Sequence, residues 1–380
     1  MTGLSIRQGS SRASDVEAAT HEFVDAIQQQ DIEWVVFFCS PRFITDAVAR
    51  ILAERLPGNR VLGCSSAGEI GCGGYQRDGI SGFSLGAEHI TVTHELIPNL
   101  QSLTLSQASG HIERTITQHR RNGGDLSPHS DFGFMLVDGL SGREEMLSSA
   151  LFQMTQGIPQ FGGSAGDELT FHHCHVYRDG EFHSDAALLA LIHTDLPFKV
   201  FMHQCFEPTE HKLVVTEADP NHRIVMEFNA EPAAEAYAEL VGVDKAALNE
   251  DVFARYPVMV RIGGREYVRS ILRANPDDSL TFYCAIDEGL VLTLAQNTDM
   301  VQALETALGD IEASVGPPDL LIGLDCILRR TAMSPDVRRA VSDILQRHKV
   351  IGFNTYGEQI NGMHVNQTLT GVAIGQGPPT

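Results

Sequence analysis

No stretch of this sequence comes near twenty consecutive apolar residues, so a membrane-spanning helix is not expected. Basic residues are scarce: 27 Lys and Arg stand against 49 Asp and Glu, a net charge of −22. A surface that acidic repels phosphate backbones and anionic headgroups, which argues against nucleic acid and membrane as partners. The seven cysteines are odd in number and include no Cys-x-x-Cys pair, which fits reduced thiols better than a disulfide framework. P-loop, GxGxxG and HExxH patterns are missing too, which weakens nucleotide-phosphate, dinucleotide and zinc readings. The opening residues MTGLSIRQGSSRAS lack the apolar core of a secretory signal, so a cytoplasmic protein is expected.

What is present is length and repetition. With 380 residues, 43% of them hydrophobic, the chain can bury a substantial core in two or three domains. Residues 61–70 read VLGCSSAGEI, 160–168 read QFGGSAGDE and 351–358 read IGFNTYGE. Aligning Ser66-Ala67-Gly68-Glu69 with Ser164-Ala165-Gly166-Asp167 and Thr355-Tyr356-Gly357-Glu358 brings flanking features into register. Upstream of each lie an apolar run (34–40, 132–140, 320–327) and a stretch of helical pattern; downstream lies another apolar run. ISGFSLG at 80–86 and LTGVAIG at 369–375 match closely, and DAALLALI at 185–192 is a looser copy. The unit is therefore strand, helix, strand, small-residue turn, strand. The spacing predicts helices over 42–56, ended by Pro57-Gly58, and from Ser334-Pro335-Asp336 onward. The loop holding Gly71, Gly73 and Gly74 follows the first turn.

Between the second and third copies, roughly 198–300, the pattern changes to strands separated by turn signals at 218–221, 263–264 and 275–278, with one helix starting at Pro232. An antiparallel sheet with a covering helix is expected there. The whole is read as α+β, with repeated units forming mixed sheets and helices on their outer faces. The division proposed is an N-terminal segment and first helix (1–30), then domains over 31–225 and 226–380.

Three sets of residues carry candidate chemistry. The carboxylates Glu69, Asp167 and Glu358 either converge as acid and base or, more simply, accept hydrogen bonds from their own turns. If the turn amides are exposed, they offer a cradle for the carboxylate of a small metabolite such as an amino acid, with Ser66, Gly68, Ser164, Gly166 and Tyr356 in its wall. In FKVFMHQCF, alternation puts Lys199, Phe201, His203 and Cys205 on one face, so that an imidazole and a thiol stand beside an aromatic ring. That arrangement suits an axial ligand to haem, or else a half-buried strand. His364, beside the third turn, can ligate, titrate or hydrogen-bond. Of the chain's 16 histidines, His172, His173 and His175 in FHHCH form a weak metal candidate whose plainer reading is an exposed hairpin.

VLGCSSAGEI with GISGFSLG resembles the N-terminal FIST domain, and VIGFNTYGEQINGMHVNQTLTGVAIG resembles the C-terminal FIST domain. LVDGLSGREE, FGGSAGDELTF, PFKVFMHQCFEPTEHKLVVTEADP, RIGGREYVRSI, DSLTFYCAIDEGLVLT and DCILRR resemble the bacterial nitric-oxide-sensing subgroup, NosP. The resemblance covers nearly the whole chain from about residue 30. It implies a cytoplasmic sensory protein, not an enzyme. Such a protein binds haem b through a histidine, takes up nitric oxide at ferrous iron, and regulates a histidine kinase, diguanylate cyclase or phosphodiesterase. A homodimer is left open. The resemblance places the ligand histidine in the QCF segment, where this chain has Cys205. His203 as a substitute and Cys205 as thiolate therefore both stand as expectations.

Overall fold

The computed structural model describes residues 3–58 and 60–376. Its apolar runs become strands buried on both faces, which is why they read as continuous rather than alternating. In Ile32–Cys39, Trp34, Val36 and Phe38 point into a common central core, while Val35, Phe37 and Cys39 face helices Val16–Ile27 and Asp46–Arg55. Asp131–Asp138 repeats this, with Phe132, Phe134 and Leu136 inward and Met135 and Val137 under helices Leu105–Arg121 and Glu144–Met154. In the third copy Pro318–Cys326 turns Leu320, Ile322 and Leu324 inward, and Leu321 outward against Met300–Val315 and Pro335–Arg347. Three sheets thus share one core, and each has helices on its outer face.

The three sheets have one topology. Each begins at an edge strand (Ile6–Ser11, Ile90–Pro98 or Phe198–Gln204), followed by the copy's last strand (Ile80–Gly86, Ala186–Thr194 or Thr368–Gly375). Next come the first strand and, parallel to it, the second (Arg60–Ser65, Gln160–Ala165 or Ile351–Thr355). The far edge is a hairpin lent by a different copy. Glu69–Gly71 and Gly74–Gln76 of the first copy complete the third sheet, and Val176–Arg178 and Glu181–His183 of the second complete the first. Glu358–Ile360 and Met363–Val365 of the third copy complete the second sheet. The exchange is cyclic, so no sheet is complete without another copy.

The repeat unit is longer than its sequence signature, because each copy owns the edge strand and a helix ahead of its first apolar run. Predicted helix 42–56 is a 3-10 turn, Pro41–Phe43, followed by helix Asp46–Arg55 capped by Thr45. Helix Pro335–Arg347 starts as predicted, with Ser334 accepting from the Val337 amide. Phe198–Gln204 belongs to the third repeat sheet. The middle region after it forms a separate antiparallel sheet inserted between that edge strand and helix Met300–Val315, with Phe206–Asp219 and Val291–Asn297 at its centre. Helix Ala233–Val241 covers one part of it, and the shorter Glu250–Arg255 packs near Ile271–Ala274.

Candidate functional site

The three small-residue turns meet where the hairpins cross over. Ala67 N donates to Asn354 O at 3.0 Å, Tyr356 N to Ser164 O at 3.1 Å, and Gly166 N to Ser65 O at 3.1 Å, which closes a ring through all three copies. The ring makes Ser65, Ser164 and Asn354 equivalent, which moves the second copy by one residue from the alignment read in the sequence. After Gly166 the second copy inserts residues 167–174, and its hairpin resumes at His175, whose carbonyl takes the Ser65 amide as Gly68 takes that of Asn354. Asp167 is therefore no counterpart of Glu69 and Glu358; the ladder position that corresponds to them holds Val176.

These turns do not form an exposed amide cradle. Ser66, Ser164 and Thr355 are fully buried, and the amides of Ala67, Gly166 and Tyr356 are engaged with the Asn354, Ser65 and Ser164 carbonyls. Gly68 N donates to Ser66 Oγ. Nor do the carboxyls share one cleft. Glu69 binds Ser66 Oγ at 2.6 Å and the Gly79 amide at 3.1 Å, and Glu358 binds Thr355 Oγ1, Thr368 Oγ1 and the Thr368 amide. Burial pushes each of the two up to about 8, against the pull of those bonds, so both are protonated at neutral pH. Asp167 takes the Phe171, His172 and His173 amides and the hydroxyls of Thr170 and Tyr356. Those donors outweigh its burial and hold it down to about 2. Of the three, Asp167 alone accepts from the backbone of its own loop; Glu69 and Glu358 take a turn hydroxyl and a donor ten residues on. Gly162-Gly163-Ser164-Ala165-Gly166 also fits the letters of a hydrolase nucleophile elbow, but Ser164 is fully buried and its Oγ accepts from Gln359 Nε2 at 3.0 Å.

His203 sits on the outermost strand of the third sheet, opposite Leu369. Its neighbours alternate as expected: Phe201 is buried among Leu304, Leu308 and Leu369, while Phe198, Val200 and Met202 pack on the central core. Nε2 of His203 is buried without a hydrogen-bond partner. Burial, helped by the Arg329 cation, pushes its pKa down to about 4. Cys205 is fully buried beside Met259, Val268 and Ala295. Burial raises its thiol pKa, and the opposing influence of Arg329 does not prevail.

Arg329, 1% exposed, bonds Asp325 Oδ1 at 2.7 Å through Nη1, and its buried guanidinium has the Cys205 thiol beside it. Asp325 also accepts from the Tyr75 hydroxyl. Arg329 is part of the wall of a cavity of about 680 Å³ that includes Phe206, Arg255, Met300, Met333, Val337 and Gln367; His203 is not in that wall. Sequence reading passed over Arg329, because an arginine next to Arg330 in DCILRR gives no sign that one of the two is wholly buried.

The structure separates His364 from His203. It lies in the hairpin lent to the second sheet, 3.1 Å from Gln359 Nε2, and burial pushes it down to about 4. His172 and His173 are not on a strand but in the loop ordered by Asp167. Among the described residues, the group able to present three metal-type ligand atoms to one point is instead Asp125, Asp131 and His193. Asp131 there already accepts from Ser127 N and Ser130 Oγ and lies 2.7 Å from His119 Nε2. Among the described residues no helix is long and apolar enough to cross a membrane, and all seven cysteines are free.

No curated protein matches the chain. The FIST N domain matches residues 33–231, over half the chain, and the FIST C domain matches residues 233–361. The cyclic three-sheet body with its inserted sheet is therefore the scaffold of a sensory module, and the chain belongs to the FIST family of signal-transduction domains.

Proposed function

We propose that this FIST protein is a haem-based sensor of nitric oxide in which His203 is the axial ligand, and that it regulates a partner histidine kinase, diguanylate cyclase or phosphodiesterase. The observation that carries the reading is the state of His203: a buried Nε2 with no partner, on a ring kept neutral at physiological pH. Neutral imidazole is the form that ligates ferrous iron. When bound, haem b would supply a ferrous iron with a coordination position for the gas. Cys205 fits less well, since a thiol pushed up by burial does not offer the thiolate that iron takes. Phe201 supports the strand from its helix side, and His364, in another sheet, has no part in the reading.

The place of His203 suits a relay. Residue 205 alone separates strand Phe198–Gln204 of the repeat body from strand Phe206–Asp219 of the inserted sheet. A pull on His203 therefore acts at the junction of two sheets, where a small displacement can bias a docked partner.

The test is haem titration of the purified protein, with absorption spectra before and after dithionite and nitric oxide. A saturable Soret band that shifts with nitric oxide is expected in the wild type and in Cys205→Ala, and is lost in His203→Ala. No saturable band in the wild type would overturn the haem reading. A second reading, a haem-free module for a small metabolite, is favoured by one observation: a cavity of about 680 Å³, the size of a small-ligand site, walled by Phe206, Met300, Met333 and Val337. It moves the metabolite away from Ser66, Gly68 and the other turn residues, whose amides are engaged.

A further inference from the structure

We propose that the apolar ridge formed by Leu140, Leu169 and Phe171 is the docking surface for a protein partner, and that the partner segment it takes is amphipathic, an apolar stripe flanked by Lys and Arg. This deepens the regulatory half of the reading above and is independent of haem. Of the large hydrophobic side chains exposed among the described residues, these three gather round Tyr356, at 37%, 38% and 45% exposure. The Phe171 ring stacks on that of Tyr356, and the Leu169 amide donates to the Tyr356 hydroxyl at 2.8 Å. A Cβ on Gly139 would lie 3.2 Å from Tyr356 Cβ, so the backbone entering Leu140 packs on the same residue. The segments that carry the ridge leave the carboxyl ends of strands Asp131–Asp138 and Gln160–Ala165, the end at which open α/β sheets bind their ligands.

The inserted loop holds these side chains out at a cost. Glu168, Leu169 and Phe171 have φ of 59°, 67° and 54°, a region that Gly or Asn occupies readily and bulky side chains rarely do. Asp167 fixes the loop in that conformation through the Phe171, His172 and His173 amides and the Thr170 hydroxyl. Strain and exposed apolar surface thus coincide in one preorganised loop, and both mark interaction sites. The same loop walls a cavity of about 660 Å³, with Pro41, Ile44, Thr170, His172 and His173 around it, a socket for an anchoring side chain of the partner.

Charge decides what covers the ridge. Residues 138–142 and 167–174 contain Asp138, Asp167 and Glu168 but no Lys or Arg, in a chain of net charge −22. Arg42 is committed to the Ala13, Ser14 and Asp78 carbonyls, and Arg143 to those of Leu100 and Gln101. A second copy would bring the same acidic rim against this one, and an anionic bilayer repels the whole chain. A cationic flank on a partner complements it.

Haem-free protein is titrated at physiological ionic strength with a fluorescein-labelled amphipathic helical peptide of Leu and Lys, with Leu/Glu and Gln/Lys peptides of the same length in parallel, and fluorescence anisotropy is recorded. One-to-one saturable binding of the Leu/Lys peptide is expected, and neither control should saturate. Leu169→Asn combined with Phe171→Asn removes the apolar ridge with a residue suited to positive φ. The fold should hold by circular dichroism, and affinity should fall about tenfold or more. Val291→Thr, which trims an exposed apolar side chain on the inserted sheet, should leave affinity unchanged. No saturable binding, equal binding of either control peptide, or binding that survives the double variant would overturn the proposal. So would a dimer seen by sedimentation, or uptake onto phosphatidylcholine and phosphatidylglycerol vesicles, that the double variant abolishes, since the occupant is then a second copy or a membrane. Because the protein is haem-free throughout, failure here leaves the haem titration standing, and a missing Soret band leaves the peptide result standing.

Discussion

Two versions of the same turn stand side by side at the centre of the molecule. In the first and third copies the chain passes from Ala67 to Gly68, and from Tyr356 to Gly357, straight into its hairpin. Glu69 and Glu358 then reach ten residues ahead, to Gly79 and Thr368, and clip the hairpin to the strand that follows. In the second copy residues 167–174 intervene, Asp167 ties that loop through five donors, and Val176 takes the place of the glutamate. The backbone ring is the same in all three. What repetition preserves is therefore the main-chain hydrogen bonding that joins the copies, while side-chain chemistry is free to diverge. The divergent loop has Glu168, Leu169 and Phe171 at positive φ, with Leu169 and Phe171 exposed and the Phe171 ring stacked 4.8 Å from that of Tyr356.

The comparison breaks most severely at a glycine. Gly82 and Gly371 occupy one position of the last strand, and the second copy has Leu189 there. A Cβ on Gly371 would lie 1.9 Å from Ile322 O, and one on Gly82 would lie 2.1 Å from Val36 O, so neither strand admits a side chain without opening its ladder. Leu189 instead fills the helix-side core of its sheet. Gly371→Ala should cost about 4 kcal/mol or prevent folding, whereas Leu189→Gly, the same exchange reversed, should destabilise by a cavity of similar cost, about 3–4 kcal/mol. Urea unfolding of the two variants checks this; a harmless Gly371→Ala would mean that the third last strand tolerates a side chain as the second does, and the contrast between the copies would fail.

The glutamates come next. Each has a folded pKa raised to about 8 from the ordinary value of 4.5. A raised carboxyl stabilises the fold below its unfolded pKa, and that contribution fades as pH climbs towards the folded one. Each glutamate should therefore lower stability between pH 4.5 and 8 by up to about 1.4 kcal/mol per pH unit. Glu358→Gln and Glu69→Gln keep the shape and remove the titration. They should match the wild type near pH 5 and exceed it near pH 8, a gain of about 3 kcal/mol at most after loss of hydrogen-bond quality. Parallel stability curves for variant and wild type across that range would show that the acids are ionised in the fold.

The triplication was legible because strands buried on both faces leave long apolar runs, and because Gly and Ser cluster at the turns. The middle sheet, the cap at Ser334 and the alternation through Phe201 and His203 were legible for equally local reasons. The exchange of hairpins was not: nothing within Glu69–Gln76 says which sheet edge it joins. The register of the second copy misled because Gly166-Asp167-Glu168 imitates Gly-Glu while hiding an insertion. Arg329 was illegible because burial of an arginine is decided by Asp325 and by elements packed over it, not by its own neighbours in sequence.

The inserted loop gives the smallest effect and the sharpest contrast with the glutamates, because its pH dependence has the opposite sign. Asp167 is lowered to about 2 from the ordinary value of 3.8, so its contribution is present above pH 4 and is lost as pH falls through the folded value. At pH 7 that contribution is about 2 kcal/mol. Asp167→Asn keeps one acceptor oxygen but turns an amide against the His172 and His173 N–H groups, and should cost about that much at pH 7. The gap to wild type should narrow at pH 3, in a range where the glutamine variants show no change. Because the backbone ring through Gly166 lies outside the loop, the loss should be local: faster proteolytic nicking between residues 168 and 173, with the unfolding of the three-sheet body still a single transition. If Asp167→Asn instead splits that transition, the loop is part of what joins the copies, and the distinction between the conserved ring and the divergent insertion fails.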